Sequence, residues 1–383
     1  MKELVYMDNA ATTPVAKSVK EKMSIFFRDK FGNPSSLYSA ANTVRREGLE
    51  RSREKVADTL GVKSEEIVFT SGATESDNLA IKGVAFSLDE PAHFITSNIE
   101  HHAVLHTFEW LEEKGHEVTY LEVDEDGMIS PEDLKESLRE DTALVSIMYA
   151  NNEIGTIEPI GELAKIANET GALFHTDAVQ AYGKFPLDLE HVDLLSASGH
   201  KIYGPKGVGM LYRRKGVTLE PLLHGGGHEK GLRSGTENIP GIVGLAEATE
   251  LVAQERDEEM PRQRALRDRI IEEVLKIPDS RLNGPRENRL ANNANFSFKG
   301  IEGESIVMKL DNRNIAASTG SACSSPSLEP SHVLLAIGLP LSLAHGSLRI
   351  TLGRETTEEE VDYLLSELPE VVEELRRASP LSK

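Results

Sequence analysis

EEIVFTSGATESDNLAIKGVAF (Glu65–Phe86) joins a short β-forming run to an amphipathic segment through a turn of small polar residues. The run Ile67–Thr70 is rich in β-branched and aromatic side chains, and Glu75–Phe86 reads as a helix. The same alternation continues to about residue 213. AHFITS, EVTYLEV, TALVSIMYA, ALFHTDA, DLLSAS and GVGMLY read as further strands, with helices over Ala103–Lys114, Pro131–Leu138 and Ile160–Glu169. Strand–helix–strand repetition predicts right-handed crossovers and a mainly parallel sheet covered by helices, an α/β fold. Ligands of such sheets bind beyond the carboxyl ends of the strands, so the polar residues after each run are the candidates for chemistry.

Beyond this region a long charged helical stretch, Gly241–Lys276, leads into a different pattern. Asn293–Phe298 and Ser347–Leu352 read as strands, with helices near Gly303–Leu310 and Thr357–Arg377. That is a second, smaller α+β unit, completed by the residues ahead of the first strand of the large one. A chain of 383 residues has ample length for two such units. Lys+Arg 42 against Asp+Glu 63 leaves a net charge of −21, which disfavours coating a nucleic acid but leaves room for one small phosphate. The single cysteine, Cys323, excludes an intrachain disulfide and an all-cysteine metal site. The N-terminal stretch has no apolar signal region, and VLLAIGLPLSLA (Val333–Ala344) is too short to span a bilayer. A soluble protein of a reducing cytoplasm is expected.

The first strand end, Thr70-Ser71-Gly72-Ala73-Thr74-Glu75, puts small residues and a helix start where backbone N–H groups could hold a phosphate. An ordinary N-cap explains Thr74 equally well. The nucleotide fingerprints GxGxxG and GxxxxGK[ST] are both absent. The second end reads Glu100-His101-His102. His102 and His106 have the i,i+4 spacing of a zinc pair but lack the glutamate of HExxH, so no metal site is expected. Later ends supply Asn151-Asn152-Glu153, Asp177-Ala-Val-Gln180 and Ser198-Gly199-His200-Lys201. An Asp closing a buried strand is costly unless it meets a cation. A lysine nucleophile, a buried carboxylate, a phosphate cup and a histidine in one crevice are the groups that pyridoxal 5′-phosphate requires.

YMDNAATTP (Tyr6–Pro14), FGNPSS, TSGATES, EHHAV, NNEIG, HTDAVQ, SGHKIYGPKG, GGGHEKGLRSGTEN, STGSACSS and SLRITLGRETTEEE follow one another over nearly the whole chain. In this series the sequence resembles the cysteine desulfurases, within the aminotransferase class V group of fold-type I pyridoxal-phosphate enzymes. It is most similar to the iron–sulfur-assembly branch, which carries GSAC in a long loop. The resemblance implies a large cofactor-binding domain over 13–256, and a small domain of 1–12 with 257–383 that carries the cysteine loop. It implies that Lys201 forms the Schiff base, that Asp177 pairs with the pyridinium nitrogen, and that Gln180 bonds the ring hydroxyl with Asn152 beside it. His101 would stack on the ring and assist as acid or base. Phosphate donors would be Ala73, Thr74, Ser198, His200 and, from a partner subunit of a homodimer, Thr236. Arg349 would clamp the substrate carboxylate, with Asn33 also at the substrate. Cys323, in a small polar loop suited to a swinging arm, would take sulfur from L-cysteine as a persulfide and pass it to an acceptor such as an iron–sulfur scaffold. No resident metal is implied, only transient iron–sulfur at Cys323.

Two other readings remain open on sequence alone. One is a different enzyme of the same cofactor group, a selenocysteine lyase or a small amino-acid aminotransferase. The other is a non-catalytic assembly subunit that binds a sulfur-acceptor scaffold.

Overall fold

Val5–Tyr6 (β1) pairs in parallel with Ile315–Ala316 (β11), tying the start of the chain to a segment more than three hundred residues later. The computed structural model describes residues 4–320 and 330–378. Its main sheet has seven strands: Ile67–Thr70 (β2), His93–Ser97 (β3), Glu117–Leu121 (β4), Thr142–Ser146 (β5), Leu173–Asp177 (β6), Leu194–Ser198 (β7) and Gly209–Arg213 (β8). Their order across the sheet is β2-β8-β7-β6-β5-β3-β4. Strands β3 to β7 run parallel, and β8 lies antiparallel to both β7 and β2. The α/β fold expected from the strand–helix alternation is therefore present.

Near-continuous apolar runs, as opposed to strict alternation, mark strands covered on both faces. Period-two geometry then sends successive side chains to opposite layers. Ile67 and Phe69 enter one apolar layer while Val68 enters the other. Ile95, Val145, Leu195 and Met210 join the first layer; Phe94, Leu144, Leu194 and Leu211 join the second. Strand β4, at the edge, is less buried and keeps its polar residues.

A three-stranded antiparallel sheet forms the second body, with Ser347–Thr351 (β12) and Ser280–Asn283 (β9) flanking Asn293–Phe298 (β10). The helices Gly303–Asp311 and Glu358–Ala378 cover it, burying Ile306, Leu310, Val361, Leu364 and Leu368 with Phe296 and Phe298. The helix Ile239–Val274 is 36 residues long and reaches both cores. Its first half buries Ile242, Leu245 and Val252 against the large sheet; its second half buries Leu266, Ile270 and Val274 against the small one. Among the described residues no helix is long and apolar enough to cross a membrane.

Candidate active site

The carboxyl ends of the central strands open into a cavity of about 440 Å³. Strand β2 delivers Thr70 to the turn Ser71-Gly72, and the helix Ala73–Phe86 begins at once, with Gly72 as its N-cap. Thr74 is thus the second helical residue and not the cap. Its neighbours leave first-turn N–H groups facing the cavity, where the helix dipole favours an anion. Gly209, paired with Thr70 in the ladder, is required here: an added Cβ would sit 2.6 Å from the Gly72 carbonyl carbon. Glu75 fixes the turn by accepting from Ser71 N–H at 2.8 Å, and Arg233 holds Glu75 at 2.8 Å.

Lys201 ends the short 3₁₀ turn Gly199–Lys201 that follows β7. Its Nζ donates to the Ala10 and Ala11 carbonyls at 2.6 and 2.9 Å. The same N-terminal segment engages the lysine's neighbours. Thr12 Oγ1 meets His200 Nδ1 at 3.1 Å, and Thr13 Oγ1 donates to the His200 carbonyl at 3.0 Å. Asp177, at the end of β6, is buried and accepts from Val179 N–H at 2.9 Å. Burial raises its carboxyl pKa, while the Val179 hydrogen bond and the Lys201 charge pull it back down. Gln180 Nε2 donates to the Ala10 carbonyl at 3.0 Å.

His101 caps the helix His102–Glu113, its Nδ1 accepting from Ala103 N–H at 3.1 Å. An accepting Nδ1 leaves the proton on Nε2. Burial first, and the Lys201 charge second, push the imidazole down to about 4, so it is neutral at physiological pH. His200 is pushed down to about 4 by the same two causes.

Arg349 projects from β12 into the cavity. Its Nη2 pairs with Asp8 at 2.8 Å and its Nη1 donates to the Asn152 carbonyl at 2.9 Å, while the buried Nε has no hydrogen-bond partner. Ala73, Thr74, His101, Asn152, Asp177, Gln180, Ser198, His200, Lys201 and Arg349 therefore line one cavity. Asn33 and Thr236 are exposed and are not among this chain's lining residues. Cys323 lies outside the described residues. Of the residues flanking it, Ser331 donates to Glu153 at 2.6 Å, and an added Cβ on Gly320 would sit 3.1 Å from that carboxylate.

A buried polar layer beneath the cavity escaped the sequence reading. Asp77 lies 3.7 Å from His175, whose ring also meets Ser146 at 2.7 Å and Ser196 at 3.0 Å. Glu100 accepts from Ser97 Oγ at 2.7 Å and Met148 N–H at 2.8 Å. Beside it the His102 and His106 rings stack at 4.9 Å, and His332 approaches His102 at 4.9 Å. Among the described residues no group of three or more His, Cys, Asp or Glu is arranged to hold a metal.

Burial pushes the Glu100 carboxyl up to about 8, although the Met148 and Ser97 hydrogen bonds oppose the rise. A folded-state pKa above the unfolded one stabilises the fold fully below the unfolded value, and that stability drains away as pH rises through the folded value. Glu100→Gln keeps the accepting oxygen and removes the titration. Its melting temperature is expected to gain on the wild type steadily from about pH 5 to about pH 8. Parallel melting curves over that range would show that the Glu100 proton is not linked to folding.

Strands ending in a lysine, a buried aspartate and a helix start define an α/β enzyme of the fold-type I class, with its site between the two bodies. A family model described as aminotransferase class-V matches residues 5–364, and the chain belongs to that family. It is 57% identical to a cysteine desulfurase IscS of Methanosarcina thermophila over 381 residues, which is 99% of this chain and 94% of that one. A NifS-like protein of known structure superposes with a TM-score of 0.91 at 42% identity, covering 97% of this chain and all of that one. A second structure, SspA in complex with cysteine, gives 0.80 at 42% identity, over 91% and 98% of the two chains.

Proposed function

We infer that the chain is a cysteine desulfurase that uses pyridoxal 5′-phosphate, and the observation that carries this reading is Lys201 beside buried Asp177 in one cavity. The donor set fits that cofactor. A phosphate fits the N–H groups at the start of the helix Ala73–Phe86, with Thr74, Ser198 and His200 around it. A protonated ring nitrogen fits Asp177, whose burial is otherwise unfavourable. Neutral His101, Gln180 and Asn152 line the same cavity and would contact the ring, His101 on its face and the two amides at its edge. Bound there, the cofactor supplies an electron sink for the electron pair released at the substrate α-carbon.

The protein's own residues then do the rest. Arg349 receives the substrate carboxylate on a guanidinium held in plane by Asp8 and the Asn152 carbonyl. Lys201 removes the α-proton as a neutral amine and returns it. The Cys323 thiolate attacks the substrate sulfur; the carbon–sulfur bond breaks with its electron pair left on the substrate β-carbon, which takes up a proton, so Cys323 keeps the sulfur as a persulfide and the skeleton leaves as L-alanine. Sulfur then passes to an acceptor, of which an iron–sulfur scaffold is the one we propose.

In a homodimer, exposed Thr236 would serve as a phosphate donor to the second copy's site. Phe27 at 67%, Phe31 at 80% and Leu37 at 96% exposure support such a contact. The division into a large domain of 13–256 and a small one of 1–12 with 257–383 completes the reading, with a cytoplasmic setting.

The test is an absorbance spectrum of purified protein before and after L-cysteine, with alanine and sulfide measured under a reductant. Alanine and sulfide in equal amounts are expected, and a keto acid in place of alanine overturns the reading in favour of an aminotransferase. Cys323→Ser is expected to keep the cofactor band and lose sulfide release roughly a thousandfold or more. A solution mass of one chain would remove the dimer.

A further inference from the structure

Glu153 is buried in the turn Asn151–Gly155, and its backbone is held on both sides. Its N–H donates to Asn151 Oδ1 at 2.8 Å, and its carbonyl accepts from Asn293 and Asn295 Nδ2 at 3.2 and 3.1 Å. Both of the latter asparagines belong to β10, so the small body grips this turn of the large one. A backbone fixed in that way fixes where the carboxylate stands. The neighbouring Asn152 carbonyl accepts from Arg349 Nη1 at 2.9 Å, yet the reaction described above gives the Glu153 carboxylate no task.

That carboxylate meets the two ends of one segment. Ser331 Oγ donates to Oε2 at 2.6 Å, and the same hydroxyl accepts from Leu334 N–H at 3.2 Å, capping the helix His332–Ala336. On the other side stands Gly320, at φ +98°, a left-handed backbone that favours glycine. A Cβ there would lie 3.1 Å from Oε2 and 3.4 Å from Asn295 Nδ2, so the missing side chain lets this backbone come close. Gly320 N–H donates to Ser318 Oγ at 3.1 Å, and its carbonyl accepts from Arg349 Nη1 at 3.4 Å. Ser318 in turn exchanges two backbone hydrogen bonds with Arg349. Residues 321–329 connect these two anchors, and Cys323 is among them. Only three residues separate Cys323 from Gly320, a span of at most about 11 Å. Whatever seats Gly320 therefore bounds the space in which the thiol meets a substrate held on Arg349, and misplacing a reacting group by about 1 Å costs roughly a hundredfold in rate.

We propose that Glu153 is a positioning residue for sulfur transfer: its carboxylate seats Gly320 and binds Ser331 against the turn that holds Arg349, and so sets where the Cys323 thiol meets the substrate. The inference rests on the desulfurase reading given above. Glu153 touches no reacting atom and acts through the two residues it anchors.

The experiment compares two reactions of the holoenzyme. Exchange of the L-alanine α-proton for deuterium, followed by NMR, uses Arg349, Lys201 and the cofactor but no thiol. Persulfide formation in a single turnover of L-cysteine, followed as mass on the Cys323 peptide, uses the thiol as well. Glu153→Ala leaves the backbone bonds of Asn152 and Glu153 in place, so exchange is expected at the wild-type rate while persulfide formation falls roughly a hundredfold. Glu153→Gln keeps an oxygen for Ser331 Oγ and is expected to recover most of that loss, and Ser331→Ala is expected to lower persulfide formation relative to exchange. A partly unfolded variant loses both rates together, so the ratio of persulfide formation to exchange reports positioning alone. A wild-type ratio in Glu153→Ala, or a ratio in Glu153→Gln as low as that of Glu153→Ala, overturns this inference and leaves the desulfurase reading standing. No exchange and no persulfide in the wild type overturn that reading, and this inference with it.

Discussion

Lys201→Ala is expected to lose cysteine turnover by a factor on the order of 10⁴ or more, because under the proposed function the same amine would both anchor the cofactor and move the α-proton. The structure adds a second consequence. Lys201 is the cation that opposes the burial-driven rise of Asp177. Without it the Asp177 carboxyl is protonated to higher pH, and a neutral carboxyl no longer holds a pyridinium. The variant should therefore bind pyridoxal 5′-phosphate more weakly as well as noncovalently. Lys201→Arg separates the two effects, since guanidinium keeps the positive charge and cannot link covalently. Borohydride followed by peptide mass mapping provides the measurement: the wild type should carry the cofactor mass on Lys201, and neither variant should carry it. A labelled peptide elsewhere in the wild type, or a full-strength labelled peptide in Lys201→Ala, rejects the assignment.

The strand–helix alternation made much of this arrangement legible. The strand Asn293–Phe298 and the helix Ile160–Glu169 fall where the pattern sets them, and Lys201 and Asp177 stand at strand ends as the architecture demands. Direction was less legible. An apolar run does not say which way it points, so the antiparallel setting of β8, on which the close Gly209–Gly72 approach depends, has no sequence mark beyond its glycines. Ala10 and Ala11 were unreadable for a different reason. They act through main-chain carbonyls on a lysine about 190 residues away, and any residue type supplies a carbonyl. Asp77 did leave a signal. It shares a helical face with buried Ala80, Ile81 and Val84, and a carboxyl on an apolar face needs a partner, here Ser196, with the His175 ring 3.7 Å away. Cys323 was legible mostly through the resemblance and partly through its small polar neighbours, and it lies outside the described residues.

Glu229→Ala is expected to be strongly destabilising although it lies outside the catalytic groups. Strand β2 is at the edge of the main sheet, so its outward backbone groups have no neighbouring strand. Glu229 Oε2 accepts from Phe69 N–H at 2.9 Å, and Arg53 Nη1 donates to the Ile67 carbonyl at 2.7 Å. The two side chains join in a bidentate pair at 2.6 and 2.7 Å, with the guanidinium 4.7 Å above the Phe69 ring. Their side chains are only 11% and 2% exposed, so truncating the glutamate strands a buried cation and a buried N–H together. Breaking such a pair costs about 3–5 kcal/mol, or roughly 5 °C in melting temperature for a chain of this size. Arg53→Met combined with Glu229→Gln removes both charges and keeps an oxygen for Phe69 N–H, so it should recover more than half of that loss. Equal destabilisation by the single and double variants would reassign the effect to side-chain volume. Because β2 runs directly into Ser71-Gly72 and the anion-facing helix start, the single variant should also take up pyridoxal 5′-phosphate more weakly, whereas the double variant, with the edge re-covered, should not.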